Sequence, residues 1–292
     1  TRDSADDPRE WAMDPQIGHR TWRTLEPIHG AIYFVPEAAE EYARLGLDDW
    51  GSGYLASRAA ALGAVGAEVV KATFYNFDPG FVERSMDGAW ETAAPEQLSA
   101  ARLIAADRMM RRLAGDMIDS LEPAAAIART AALAACERPE GRALFAGHAQ
   151  LGWPEEPHLV LWHAQTLLRE FRGDGHIAAL TAQGLSGCEA LVTHAAAGEI
   201  SGDVLKSSRQ RTDDDWAAAH DSLRSRGWLD AEGAFTDAGR DGRQWIEERT
   251  DELAVLPYAA IGEDACAQLR AACRPTSVAM ATAIGFPRRG DD

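Results

Sequence analysis

The segment WHAQTLLREFRGDGHIAALTAQGLSGCEALVTHAAAG, residues 162–198, decides the fold. An apolar helical period runs to Phe171, and Arg172-Gly173-Asp174-Gly175-His176 then interrupts it with two glycines, which disfavour a continuing helix. Asp174 suits the N-cap of a new helix starting at Ile177. Ala178, Ala179 and Ala182 lead to Gly184-Leu185-Ser186, where Gly184 can take a left-handed cap and Ser186 can start the next helix. The spacing predicts a helix, a sharp polar break and a helix-turn-helix.

Downstream, DDDWAAAHDSLRSR (213–226) reads as a capped amphipathic helix. RGWL, the turn DAEGAF with Gly233 at its tip, and FTDAGR complete the layout of a winged helix. Upstream, a helix is expected from Thr21 to Phe34, bent or delayed by Pro27, then a second opened by Pro36 and ended by Gly46, and a third from Asp48 to Ala61. This half aligns with the later one. Gly46-Leu47 and Trp50 through Ala59 match Gly184-Leu185 and Cys188 through Ala197, and EVVK (68–71) matches DVLK (203–206). The offset of about 135 residues is too long for a solenoid and fits a domain duplication. The expected fold is therefore mainly α, as tandem winged-helix (helix-turn-helix) repeats with small β-wings. The expected organisation is a disordered tail (1–20), an N-terminal repeat (21–115), a helical connector (116–157), a C-terminal repeat (158–275) and a second tail (276–292).

With 292 residues, 46% of them hydrophobic, the chain can build two cores. No apolar run approaches the roughly 20 residues that span a bilayer, and no signal-like start is present, so a cytoplasmic protein with no membrane partner is expected. The four cysteines match no metal-ligand spacing and read as reduced, buried thiols. A net charge of −17 requires any DNA-binding surface to concentrate its basic residues on one face. The helix that would enter the groove opens instead with Asp213, Asp214 and Asp215, so duplex binding is disfavoured, with Lys206, Arg209 and Arg211 left as possible phosphate contacts.

Two stretches carry candidate chemistry. In the first, His163, Arg169, Arg172, Asp174 and His176 lie together, and a carboxylate orienting an imidazole is an acid–base arrangement. His163, Asp174 and His176 are the catalytic candidates if the protein is an enzyme; the alternative is that Asp174 only caps a helix. In the second, Phe74, Tyr75 and Asn76, with His29 and Tyr33, offer a largely apolar lining with directional polar groups. The alternative is an aromatic core cluster. Arg169 and Arg172 would hold a ligand anion. His158, His163 and His176 match no zinc spacing, and no nucleotide-binding loop is present, so neither metal nor cofactor is expected.

Taken together, EPIH (26–29), YFVPEA (33–38), ATFYNF (72–77), WHAQTLLREFRGDGH (162–176), GLSGCEAL (184–191), DDDWAAAHDSLRSRGWL (213–229) and FTDAGR (235–240) resemble the SalK-like, winged-helix group of actinobacterial helix-turn-helix proteins. The resemblance covers about residues 20–275 and departs at Phe171, where the group often has a polar residue. It implies the fold and a small-molecule or natural-product setting, but no particular reaction. Two readings follow. The chain binds a small molecule in an inter-repeat cavity, as a ligand-sensing regulator or binding protein, or it is a cofactor-free tailoring enzyme using His/Asp acid–base chemistry. Either a monomer or a homodimer is compatible with the duplication.

Overall fold

The computed structural model describes residues 13–198 and 200–285. Their helices are α1 (Pro15–Gly30), α2 (Pro36–Ala43), α3 (Trp50–Ala59), α4 (Ala67–Thr73), α5 (Pro79–Met86), α6 (Ala89–Thr92), α7 (Pro95–Ala114) and α8 (Glu122–Cys136), then α9 (Ala143–Ala149), α10 (Pro157–Ala182), α11 (Gly187–Ala196), α12 (Gly202–Ser208), α13 (Asp213–Ser225), α14 (Asp237–Ala254), α15 (Leu256–Ile261) and α16 (Glu263–Ala283). The protein is mainly helical, as expected.

Local chemistry sets most helix starts. Gly184 takes φ 65°, and Ser186 with Glu189 forms a reciprocal capping box on α11. Thr212 and Thr236 cap α13 and α14. In the first half Gly46 takes φ 91°, Asp49 caps α3 and Asp78 caps α5.

The polar break at 172–176 is absent. α10 is one helix of 26 residues that runs straight through both glycines. From His158 to Phe171 it is buried on nearly every side, packed against α8, α14, α1 and α9. Such enclosure outweighs the roughly 1 kcal/mol that each interior glycine costs. Gly175 has a packing reason as well, since a Cβ there would lie 3.2 Å from Leu253 Cβ on α14. Asp174 does cap a helix, but a different one: its Oδ2 accepts from Phe145 N, 3.0 Å away, in the first turn of α9. The N-cap position of α9 itself, Arg142, supplies no side-chain cap.

The expected β-wings also give way. Among the described residues the second half has a single isolated antiparallel bridge, Leu229 to Phe235, and the stretch 92–98 aligned with it in the first half runs from the end of α6 into the first turn of α7. Asp230 contributes to the reduction: its Oδ1 accepts from Glu232 N at the turn tip and from Ala234 N, a donor that a ladder would use. The expected tails are shorter too. Asp14 caps α1, whose Ile17 and Gly18 are buried, and α16 continues past Pro275 with Thr276, Ser277 and Met280 buried. Residues 1–12 and 286–292 lie outside the described part.

Two hydrophobic cores result. The larger joins α1 to α10 with α15 and α16; the smaller is built by Leu180, Leu185, Val192, Leu223, Trp228 and Ile246. They meet where the α4–α5 turn touches α11 and the α12–α13 turn. Arg211 Nε donates to Asn76 O (3.0 Å), Asp78 N donates to Arg209 O (3.0 Å), and the Tyr75 hydroxyl donates to Leu185 O. Gly187 makes this approach possible, because a Cβ there would overlap the Tyr75 carbonyl.

Two glycine substitutions test this description by thermal unfolding. Gly173→Ala, whose Cβ would meet only Glu170 Oε2 at 3.5 Å, should stabilise by roughly 0.5–1 kcal/mol, whereas a broken helix would make it destabilising. Gly187→Ala should cost about 3 kcal/mol or more, through forced separation of the two halves.

Candidate functional site

Trp50, Tyr54 and Arg58 follow one another at i, i+4 and i+8 and so share a face of α3. That face meets Tyr33 of the 3-10 turn Ala31–Phe34 and Glu170 of α10, with Arg209 at the end of α12 near Tyr54 and Arg58; His29 of α1 and Arg102 of α7 in turn contact Tyr33 and Trp162 of α10. Arg58 Nη2 donates to Glu170 Oε1 (3.1 Å) and its Nη1 to the Tyr54 hydroxyl (2.9 Å), while its guanidinium lies over the rings of Phe74, Tyr33 and Tyr54. Arg169 bonds the same Glu170 Oε1 (3.0 Å) and Glu26 Oε1 (2.9 Å).

Around Tyr33 runs a directed chain of hydrogen bonds. Thr166 Oγ1 donates to Trp162 O (3.0 Å), which leaves its lone pairs to accept from His29 Nδ1 (2.9 Å). His29 Nε2 then accepts from the Tyr33 hydroxyl (2.8 Å), whose oxygen in turn accepts from Arg102 Nη2 (3.0 Å). Burial, reinforced by Arg169, Arg102 and Arg58, holds the His29 pKa well below the usual histidine value, so the imidazole is neutral as this chain requires.

Positive charge is in excess. Arg58, Arg102, Arg169 and Arg209 face two carboxylates, Glu26 and Glu170. Burial pushes the Glu170 pKa up, yet Arg58 and Arg169 outweigh it and bring it to about 2. Tyr54 shows the same balance: burial raises its pKa, and Arg58, Arg209 and Arg169 more than reverse that. Several buried donors and ring nitrogens have no hydrogen-bond partner, namely Arg58 Nε, Arg102 Nε and Nη1, Trp162 Nε1, His148 Nε2 and His163 Nε2.

Of the sequence candidates, His29, Tyr33, Phe74 and Arg169 come together here. His163 stands behind them, edge-on to Trp153, its pKa lowered to about 4 by burial and by Arg102. The others serve different neighbours. Arg172 lies over Trp22 and pairs with Asp251 (2.8 Å). His176 Nδ1 contacts Thr250 Oγ1 (2.9 Å), and Asp174 is spent on α9, so the two do not orient each other. Tyr75 and Asn76 join the two halves. Between α4 and α10 lies an open groove of about 470 Å³, lined by Val69, Ala72, Thr73, Asp174 and Ile177 among others; Asp174 is the one sequence candidate in it, its pKa raised by burial to about 6. Tyr54, Arg58, Arg102 and Arg209 were not singled out as ligand residues, although the Trp50-Tyr54-Arg58 spacing carries a signal. His158 Nε2 contacts Asp107 Oδ1 (2.6 Å), and among the described residues no group of three or more His, Cys, Asp or Glu side chains could hold a metal.

The interior histidines predict a pH response. Burial holds His29, His148, His163 and His176 below the ordinary value, the last three at well below 5. The unfolded chain therefore binds more protons below about pH 6.5, and stability falls as the pH falls. Asp174, with its pKa raised, works in the opposite direction between about 4 and 6 but counts only once. Circular dichroism melts should show the melting temperature dropping steeply between pH 6.5 and 5, and a flat profile there would contradict neutral burial of these rings.

Among the described residues no helix is long and apolar enough to cross a membrane. Comparison with curated proteins and with solved structures gives no match. A family model described as a helix-turn-helix family matches residues 18–287, nearly the whole described structure. The chain belongs to this helix-turn-helix family.

Proposed function

We propose that the protein uses its helix-turn-helix scaffold to bind a small molecule in the interior between its first half and α10, as a ligand-sensing regulator or binding protein. The observation that carries this reading is the convergence of Arg58, Arg102, Arg169 and Arg209 on Tyr33, Tyr54 and His29, with buried polar atoms left unpartnered. A core that needed only stability would not gather them, since a buried polar group without a partner costs about 1–3 kcal/mol. The tandem-repeat arrangement fits this reading. The equivalent turns 74–78 and 209–213 meet each other, as two copies related by a pseudo-twofold axis would. The SalK-like resemblance adds a natural-product setting.

Duplex binding is the weaker reading, although the family name suggests it. The basic residues near the helix that would enter the groove are turned inward or already engaged. Lys206 pairs with Asp213, Arg209 lies over Phe77, Arg211 is bonded to Asn76 O, Arg224 to Asp221 and the carbonyls of Asp230 and Ala231, and Arg226 to the carbonyls of Gln183 and Gly184. Phosphate contact would have to compete with all of these. The enzymatic alternative is favoured by the Tyr33–His29 hydrogen bond, across which the hydroxyl proton could pass to the imidazole without a cofactor while Arg102 holds the phenolate oxygen.

Native mass spectrometry of the purified protein, with and without a mixed-sequence duplex at low salt, tests the choice. The expected result is a retained small molecule, lost in Arg58→Met, and no duplex complex. A duplex complex that weakens steeply with added salt would instead make this a DNA-binding regulator. Substrate turnover abolished by Tyr33→Phe, with binding retained, would establish the enzymatic alternative.

A further inference from the structure

Resting on the interior-binding reading, we infer that the ligand is an aromatic acid whose carboxylate is held by Arg58 and Arg209 and whose ring stacks on the Trp50, Tyr54, Phe77 and Phe81 side chains. Three independent features lead there. The first is charge. Arg209 is not paired with a carboxylate among the described contacts, its side chain lying over Phe77 (5.0 Å) and bonding Ser208 Oγ (3.2 Å). Arg58 is 8% exposed and keeps Nε unpartnered. Neighbouring Arg169 is bonded to both Glu26 and Glu170, whereas Arg58, Arg102 and Arg209 keep donors to spare, and of these three Arg58 and Arg209 lie against the aromatic run, over Tyr54 and Phe77. Guanidinium groups suit a planar carboxylate, which they can bond with two parallel donors.

The second is the aromatic run that leads inward. Trp50 is 49% exposed, stacks on Tyr54 (5.2 Å) and Phe81 (5.9 Å), and through them reaches the buried Phe77 (5.6 Å from Tyr54) and Phe74. A flat ring laid against these stacked aromatics gains stacking and apolar burial together. The third is the position of Tyr54. Its hydroxyl accepts from Arg58 Nη1 and lies between the exposed ring of Trp50 and the buried guanidinium, at the point where an apolar body would give way to a charged end. A neutral aromatic would satisfy the rings and leave the charge excess in place; a small aliphatic anion would do the reverse. An aromatic acid satisfies both.

Thermal unfolding with benzoate, benzamide and acetate, at equal concentration and matched ionic strength, separates these cases. Benzoate in about tenfold excess over its Kd should raise the melting temperature by roughly 3 °C, and benzamide and acetate by much less. The benzoate shift should vanish in Arg58→Met and persist in Arg224→Met, a surface control. Because Arg58→Met removes a partner of Glu170 and could impair folding, Arg209→Met provides the second variant and should abolish the shift on its own. Equal shifts with benzamide and benzoate, insensitive to Arg209→Met, would overturn the anionic assignment while leaving interior binding intact. No benzoate shift in the wild-type protein would overturn the aromatic-acid assignment, and the retained ligand in native mass spectrometry would still decide the binding reading separately.

Discussion

Glu170 is the interaction on which the interior depends. Its carboxylate, buried on the central helix α10, receives both Arg58 and Arg169 and so joins α3 to α10. Removing one partner of a buried ion pair leaves the other charge without compensation, at a cost of about 3–5 kcal/mol. That pairing accounts for two of the four arginines; Arg102 is held instead by the Tyr33 hydroxyl, and Arg209 by Ser208 and the Phe77 ring. The cluster is tied to the central helix by one residue that cannot be lost without strain on its neighbours.

The same central helix organises the two halves. α10 packs against α8, α9 and α1 of the larger core, while its last turns, through Ala179 and Leu180, belong to the smaller one. The halves are then locked a second time by the turn-to-turn contact around Asn76 and Arg211. The interior cluster is thus held between packed elements, and ring contacts from Phe77 through Tyr54 to the exposed Trp50 run from it to the surface. A regulator built this way would report on a ligand by shifting how its two halves meet, because Arg209 belongs both to the proposed anion site and to the junction, where its carbonyl accepts from Asp78 N beside the Arg211–Asn76 contact.

The acidic presumed recognition helix acquires a physical context. Thr212 and Asp215 cap it reciprocally, and Asp213 pairs with Lys206, so the acids serve the helix N-terminus and the turn before it. Arg211, Arg224 and Arg226, which could have faced a phosphate backbone, are bonded to carbonyls within the chain. The helix-turn-helix frame is thus retained while its polar chemistry is directed inward.

Local chemistry determined much of this protein from sequence alone. Gly184, Ser186 and Thr236 marked helix ends correctly, because caps depend on side chains and backbone within a few residues. The pairing of His29 with Tyr33 was also within reach of sequence, being one helical turn apart. Tertiary structure decided the rest. Gly173 and Gly175 looked like a break because propensity is local, but enclosure by four neighbouring helices kept α10 intact, and Asp174 turned out to cap a helix nearly thirty residues away in sequence. The arginine cluster was hidden for the same reason. Arg58, Arg102, Arg169 and Arg209 come from four separate helices or helix ends, and no sequence period links side chains that only long-range packing brings together.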